Sequence, residues 1–122
     1  MQKNKQKKKQ DILVNTIIES IQGKKGEQIV VANLSDIKNA VCDYFIICEA
    51  NSKTQVQGIA ESVIAEVKSI IGIKPLNTEG FQNAEWILLD YFDVVVHIFQ
   101  KDIREFYKLE SLWADALIKK IE

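Results

Sequence analysis

The chain has 122 residues, 47% hydrophobic and 27% charged, and these proportions are typical of a single soluble globular domain with a sizeable core. No apolar run approaches the roughly 18 residues that a membrane-spanning helix needs, and the basic N-terminus leads into an amphipathic segment instead of the apolar core of a secretory signal. The composition therefore excludes a disordered chain and indicates a cytoplasmic protein without a membrane segment.

The charge is distributed unevenly along the chain, although the net charge is only −1. Residues 1–10 hold five of the 16 basic residues and none of the 17 acidic ones, so residues 11–122 carry 11 basic and 17 acidic residues and a net charge of −6. We therefore predict a basic, flexible tail over residues 1–10 and a single domain over residues 11–122. An acidic domain does not bind nucleic acid with its globular face, whereas the tail is either a solubilising segment or a weak, nonspecific RNA anchor.

Helix and strand patterns alternate through the first half of the chain. Asp11 is predicted to cap a helix with an apolar stripe, and the glycines at positions 23 and 26 are its candidate ends. Residues 28–33 and 43–49 are predicted strands because both are rich in β-branched or apolar residues. Residues 43–49 are nearly continuously apolar, as is typical of a central strand covered on both faces.

A long amphipathic helix is predicted to follow the central strand. Ser52, with Gln55 three residues later, forms a capping-box pattern at its start, and Gly72 stands at the position where such a helix ends. Residues 73–78 are predicted as the next strand, parallel to the central strand because a helical crossover joins the two. Pro75 lacks an amide hydrogen, so this strand is expected at the edge of the sheet.

The last third of the chain holds both tryptophans, the single histidine and the single arginine. Residues 85–89 and 94–99 are predicted to pair as an antiparallel hairpin, with residues 90–93 as its tight turn. Asp102 is predicted to cap the following helix, with Glu105 as its capping-box partner. The complete pattern predicts an α/β (α+β) fold in which helices flank a mixed sheet of five strands.

No motif in the chain predicts a metal site or a cofactor site. Cys42 and Cys48 lack the paired spacing and the neighbouring histidine of a zinc site, which favours two reduced thiols. The chain also lacks a glycine-rich phosphate loop and the common hydrolase and metalloprotease motifs. Asp90 and Asp93 flank the hairpin turn, where aspartate often bonds to the local backbone, and His97 alternates with apolar residues on a strand. We favour local structural roles for all three, with a metal or acid–base site as the alternative.

Aromatic side chains are concentrated in the last third and interleave with charged ones, a composition typical of protein-contact surfaces. The members of this set are Trp86, Tyr91, Phe92, Phe106, Tyr107 and Trp113, together with Arg104, Glu105 and Glu110. Tyr107 and Trp113 are six residues apart, about 240° around a helix, so they are not expected to face the core together. This pattern favours a surface that contacts another protein.

Three stretches, DYFIICEANSKTQVQGIAESV, WILLDYFDVVVHIF and REFYKLESLW, follow one another in order along the chain. Together they resemble the ribosomal silencing factor family, also called RsfS or Iojap, over roughly residues 10–115. The resemblance implies a nucleotidyltransferase-like fold, but the catalytic signature of that fold, a Gly-Ser pair followed by Asp-x-Asp, does not occur here. It also implies a function without catalysis: binding to the large ribosomal subunit through ribosomal protein fourteen and blocking subunit association when nutrients are scarce.

The resemblance implies that the last third of the chain carries the partner contact. The residues expected to form this contact, or to support it directly, are Trp86, Asp90, Tyr91, His97, Arg104, Tyr107, Glu110 and Trp113. Arg104 and Glu110 are alternatively an internal brace. The acidic domain suits a basic ribosomal protein as partner. Phe92 stands where glycine is usual in the hairpin turn of the family, so the geometry of this turn is left open.

Several functional alternatives stay open beside this expectation. The lysine tail is a candidate for a weak contact with ribosomal RNA. Exposed aromatic residues and the family's tendency to self-associate leave open a homodimer in the absence of the ribosomal partner. A function of a different class would be a nucleotide-binding enzyme of nucleotidyltransferase type, with Asp90, Asp93 and His97 at a metal–nucleotide site.

Overall fold

The computed structural model describes residues 2–37, 40, 42–107 and 117–121, and it describes the backbone alone for residues 2–7, 106, 107 and 117. The order and bounds of its helices and strands are α1 (Gln2–Gly23), β1 (Glu27–Asn33), β2 (Tyr44–Ala50), α2 (Lys53–Ile70), β3 (Asn77–Glu79), β4 (Trp86–Asp90), β5 (Val94–Gln100), α3 (Lys101–Tyr107) and β6 (Leu117–Ile121). Helices and strands thus follow the predicted order, with one additional strand, β6.

The described strands form one sheet in the order β3-β4-β5-β2-β1-β6. Strands β2 and β5 run parallel, and every other neighbouring pair among the described strands is antiparallel. The sheet is therefore mixed and flanked by helices, as predicted, but the predicted count of five strands is wrong. The sixth strand, β6, pairs with β1 at the sheet edge. Its two adjacent lysines interrupt the apolar alternation by which strands are recognised, although lysine is common on edge strands.

The strand predicted at residues 73–78 is shorter than expected and begins after Pro75, at Asn77. It lies at the sheet edge, as predicted from the proline, and pairs antiparallel with β4. It runs in the same direction as β2, as predicted, but β4 and β5 lie between the two strands. The parallel neighbour of β2 is β5, because the strongly apolar β5 suits the buried centre of the sheet and the fully exposed β3 does not.

Helix α2 has the ends that its sequence predicts. The Ser52 side chain accepts a hydrogen bond from the Gln55 backbone N–H at 3.1 Å. The Gln55 side chain accepts from the backbone N–H of Asn51 at 3.1 Å, one residue before the position that a capping box prescribes. After the last helical residue, Ile70, Gly72 has a φ of 85°, a left-handed conformation that glycine adopts without strain.

Helices α1 and α3 begin earlier than predicted. Helix α1 begins at Gln2, so Asp11 lies inside the helix and does not cap it. Lysine and glutamine are favourable helix residues, so residues 2–10 continue the helix where we expected a flexible tail, and the domain division at residue 10 stays a prediction. Helix α3 begins at Lys101, directly after β5. Asp102 therefore lies in its first turn, where its charge favours the helix dipole but does not cap the helix.

The sheet buries apolar residues on both of its faces. On β5, Val96 and Ile98 point to a first face, where they join a core that includes residues of α1 and α2. Val95 and Phe99 point to the opposite, second face, where Ile103 of α3 packs against a smaller core. Because β2 and β5 are buried almost throughout, they form the centre on which the outer strands are positioned.

In the turn between β4 and β5, the Asp90 side chain bonds to the local backbone, as predicted, whereas the bonds of Asp93 are made by its own backbone. Asp90 Oδ1 accepts from the backbone N–H of Phe92 at 2.8 Å. Phe92 has a φ of 76°, so it adopts the left-handed conformation that a glycine in this position would favour. The Asp93 carbonyl accepts from the backbone N–H groups of Asp43 and Tyr44, which ties the turn to the start of β2.

Candidate protein-contact surface

Strand β4 divides its side chains between the two faces of the sheet. Ile87 and Leu89 are fully buried in the core of the first face. Trp86, Leu88 and Asp90 lie on the second face and are partly exposed. Buried and partly exposed side chains thus alternate along β4, as in a strand whose one face is covered by the core and whose other face is only partly covered. Strand β4 therefore presents three side chains that a partner can reach.

Two residues of β3 extend this surface to the sheet edge. Asn77 stands opposite Asp90, and Glu79 opposite Leu88, so their side chains lie on the same face of the sheet. Both are exposed, and Asn77 Nδ2 donates to Glu79 Oε1 at 3.3 Å. We call Asn77, Glu79, Trp86, Leu88 and Asp90 the outer strip. It combines two apolar side chains with two carboxylates.

Residues of β5 hold Trp86 in a fixed orientation. The indole stacks on the Phe99 ring, with ring centroids 4.9 Å apart and an interplanar angle of 25°. Its Nε1–H donates to Nδ1 of His97 at 3.0 Å. The His97 ring in turn packs edge-on against Phe45, with ring centroids 4.8 Å apart. These contacts orient Trp86 in advance, which reduces the conformational freedom that binding of a partner would otherwise remove.

His97 is 4% exposed and acts as a neutral hydrogen-bond acceptor. Burial lowers the pKa of its imidazole to about 4, because desolvation disfavours the charged ring. Since Nδ1 accepts from Trp86, the proton of the neutral ring is on Nε2. We assign His97 a positioning role for Trp86, in agreement with the local structural role that its sequence context favours.

Arg104 lies inside the protein, where it forms an ion pair with Glu49. Its Nη1 is 3.3 Å from Glu49 Oε1, and both side chains are almost fully buried. The same nitrogen donates to the carbonyl of Gln28. Gln28 has a φ of 50° and lies where the register of β1 against β2 shifts, so Arg104 joins α3 to an irregular point in β1. Arg104 thus occupies the place of an internal brace, with Glu49 as a partner that the sequence analysis missed.

The other residues of the predicted contact set differ in where they lie. Tyr91 is 6% exposed and packs in the core of the first face, so it supports the hairpin without offering its ring to a partner. Burial raises the pKa of its hydroxyl to about 12, and this hydroxyl has no hydrogen-bond partner among the described residues. Tyr107 is the last residue of α3, and the structure describes only its backbone. Glu110 and Trp113 lie outside the described residues.

The described residues offer no grouping typical of a metal site. Within the ranges that the structure describes, no group of three or more His, Cys, Asp or Glu residues is placed to hold a metal ion. Cys42 and Cys48 are free thiols, and burial raises their pKa values to about 11 and about 12. Both thiols are therefore protonated and poorly nucleophilic at neutral pH. In the same part of the chain, no helix is long and apolar enough to span a bilayer.

Comparison with known proteins identifies the family of the chain. The family model described as "Ribosomal silencing factor during starvation" matches residues 5–122. The chain belongs to the ribosomal silencing factor family. This result confirms the family resemblance of the three sequence stretches.

Individual members of the ribosomal silencing factor family match over most of the chain. The ribosomal silencing factor RsfS of Halalkalibacterium halodurans is 41% identical over 110 residues, which cover 90% of this chain and 92% of that protein. RsfS of Bacillus subtilis is 45% identical over 93 residues, which cover 76% and 77% of the two chains. A crystal structure of a Chromobacterium violaceum protein superposes with a TM-score of 0.80 at 30% identity and covers 85% of both chains.

Proposed function

We propose that the chain is a ribosomal silencing factor that binds the large ribosomal subunit through ribosomal protein fourteen. Bound there, it fills space that the small subunit needs, so it blocks subunit association and lowers translation when nutrients are limiting. This mechanism is steric occlusion in the cytoplasm and requires no catalysis. Membership of the ribosomal silencing factor family is the observation that carries the proposal.

The outer strip has the chemistry that a basic ribosomal protein would recognise. Trp86 and Leu88 supply apolar area, and Trp86 is oriented in advance, as interface anchors usually are. Glu79 and Asp90 supply negative charge on a domain whose net charge is −6 over residues 11–122. Such a charge attracts a basic protein and repels the phosphates of RNA. These properties support a protein contact on this face.

Tyr107, Glu110 and Trp113 stay predicted members of the same contact. All three belong to the stretch REFYKLESLW, which carries part of the family resemblance. Glu110→Lys reverses one charge in this stretch and should weaken binding to the large subunit without unfolding the domain. Unchanged affinity of a folded Glu110→Lys variant would remove this residue from the contact.

Co-sedimentation of the purified protein with isolated large and small subunits tests the proposal. We expect the protein to pellet with the large subunit alone and to reduce the fraction of joined ribosomes when both subunits are mixed under joining conditions. Glu79→Lys reverses an exposed charge on the outer strip and should weaken this binding about tenfold. Glu66→Lys is a matched reversal on the exposed surface of α2 and should bind as the wild type does.

Three results would contradict parts of the proposal. A protein that pellets with neither subunit would refute the ribosomal function. Equal weakening by Glu79→Lys and Glu66→Lys would mean that overall charge matters and the outer strip does not. Free ribosomal protein fourteen, added in excess, should release the protein from large subunits, and a lack of release would refute this partner.

The lysine-rich start of the chain is part of the proposal as a weak second contact, with ribosomal RNA. Residues 1–10 contain five lysines, of which Lys8 and Lys9 are exposed on α1. Deleting residues 1–10 should lower the affinity for large subunits and make it less dependent on salt, since each phosphate contact adds to the salt dependence. An affinity unchanged at every salt concentration would leave the lysines a solubilising role.

The proposal includes a homodimer as the state of the free protein. The apolar side chains of the outer strip are only partly covered in the single chain, so a second copy can cover them when ribosomal protein is absent. Sedimentation equilibrium of the free protein should then show a dimer that dissociates when ribosomal protein fourteen is added. A monomer at all accessible concentrations would refute this part.

A further inference from the structure

The two most exposed large hydrophobic residues in the described part of the chain, Phe92 and Leu76, are both bonded through their backbone to Asp90, at the end of β4. Phe92 is 71% exposed and Leu76 is 70% exposed. The backbone N–H of Leu76 donates to the Asp90 carbonyl at 2.7 Å, and that of Phe92 donates to Asp90 Oδ1 at 2.8 Å. Asp90 thus joins both residues. We call Leu76, Phe92, Asp90 and Asp93 the tip patch.

Three aspartates lie at the same end of the sheet as Leu76 and Phe92. Asp90 and Asp93 lie two residues before and one residue after Phe92. The Asp93 carbonyl accepts from the backbone N–H of Asp43 at 2.9 Å, which brings a third aspartate to the same end of the sheet. The Asp43 carboxylate also accepts a hydrogen bond from the Gln10 side chain of α1. The end of the sheet therefore presents apolar side chains among acidic ones.

An apolar pair among carboxylates fits a basic protein segment. Lysine or arginine side chains would pair with the carboxylates, and an apolar side chain between them would cover Leu76 and Phe92. RNA is disfavoured because the same carboxylates repel its phosphates. The single positive charge of Lys74, two residues before Leu76, does not offset their negative charge. The patch is continuous with the outer strip, since Asp90 belongs to both.

We propose that the tip patch is a further docking point on the large ribosomal subunit, where it binds a basic segment of a ribosomal protein. The bound segment has an apolar side chain flanked by lysine or arginine. This inference rests on the proposed function, because it requires the protein to sit on the large subunit. It adds a contact made by the hairpin turn, at the end of the outer strip, and two adjacent contacts fix the orientation of the bound protein.

The conformation of Phe92 agrees with a role for its ring outside the fold. A φ of 76° lies in the left-handed region, where glycine is unstrained and a bulky residue is not. Most of the ring is exposed, so packing within the fold does not account for an aromatic residue at this position. A contact with a partner would account for the Phe92 side chain, which contributes little packing to the hairpin.

Substitutions at the tip patch test the docking point in co-sedimentation with isolated large subunits. Phe92→Asn removes the ring but keeps a residue that tolerates the left-handed conformation, and Leu76→Ser removes the second apolar side chain. Ile70→Ser is the matched control, because Ile70 is 57% exposed on α2 and belongs to neither the tip patch nor the outer strip. We expect both tip-patch variants to bind about tenfold more weakly than the wild type and the control to bind equally well.

Photo-cross-linking identifies what covers the patch. A protein with p-benzoylphenylalanine in place of Phe92 is bound to large subunits and irradiated. We expect the cross-link on a ribosomal protein, within a segment that contains lysine or arginine. A cross-link found mainly on ribosomal RNA would overturn the inference.

The remaining outcomes separate this inference from the proposed function. If the wild type pellets with the large subunit and both tip-patch variants bind equally well, the inference is wrong and the proposed function stands. If the wild type does not pellet, the proposed function fails and the inference fails with it. If the variants weaken self-association in sedimentation equilibrium but not subunit binding, a second copy is the occupant and the inference is again wrong.

Discussion

Lowering the pH from 7.5 to 5 should destabilise this protein through His97. The pKa of its imidazole is about 4 in the folded protein, against 6.5 for an exposed histidine, because burial disfavours the charged ring. Between these two values the unfolded chain binds more protons than the folded one, so the free energy of unfolding falls as the pH falls. The stability that the neutral ring contributes is complete above pH about 6.5 and is lost progressively towards pH about 4.

The difference between the two pKa values sets the size of the effect. At 1.36 kcal/mol per pKa unit, complete protonation costs roughly 3 kcal/mol, and linkage gives a loss of about 2 kcal/mol at pH 5 relative to pH 7.5. Small domains have a free energy of unfolding of about 5–15 kcal/mol, so this loss is a measurable share. Protonation of Nδ1 would also remove the acceptor that orients Trp86.

The titration can be followed directly because the chain contains a single histidine. The Hε1 proton signal of His97 in NMR spectra should report a pKa near 4. Urea unfolding followed by circular dichroism should show the loss of about 2 kcal/mol between pH 7.5 and pH 5. The control is His97→Phe, which keeps an aromatic ring without a titratable group. It should be less stable than the wild type at pH 7.5 and lose little more at pH 5.

Two results would refute this reasoning. An imidazole that titrates near its ordinary pKa in the folded protein would mean that water reaches the ring. Equal losses of stability for His97→Phe and the wild type between the two pH values would mean that other groups carry the pH dependence.

Three further substitutions test other parts of the structure by urea unfolding at pH 7.5. Phe92→Gly should stabilise the protein by about 1 kcal/mol, because glycine relieves the left-handed strain, and a loss of stability would mean that the ring contributes to the fold. Arg104→Met should destabilise the protein by about 3 kcal/mol, because it leaves Glu49 buried without this ion-pair partner. Adding Glu49→Leu to the same chain should recover part of this loss. A cost below about 1 kcal/mol would contradict the role of Arg104 as an internal brace. Ser52→Ala should cost about 1 kcal/mol by removing the cap of α2, and unchanged stability would mean that the cap is dispensable.

The candidate surface could be predicted from the sequence only in part. The sequence analysis selected Trp86 and Asp90, and the alternation along the same strand could also have selected Leu88 as their neighbour. Glu79 joins the outer strip only because β3 pairs with β4 in a particular register. Tyr91 shows the opposite case, since its aromatic neighbourhood favoured a contact whereas its ring packs in the core. Composition alone does not distinguish a core aromatic residue from an interface one.

The sequence by itself determined the central strand, the hairpin and the capped helix α2, because turn residues, caps and apolar periodicity act between residues close in the chain. Its ordered motifs also determined the family. Only the tertiary structure decided the order of the strands, the sixth strand β6 and the neutral state of His97. Each of these depends on which distant segments pack together. A lysine-containing edge strand forms because β1 pairs with it, and a histidine loses its charge because Phe45 and Trp86 exclude water around it.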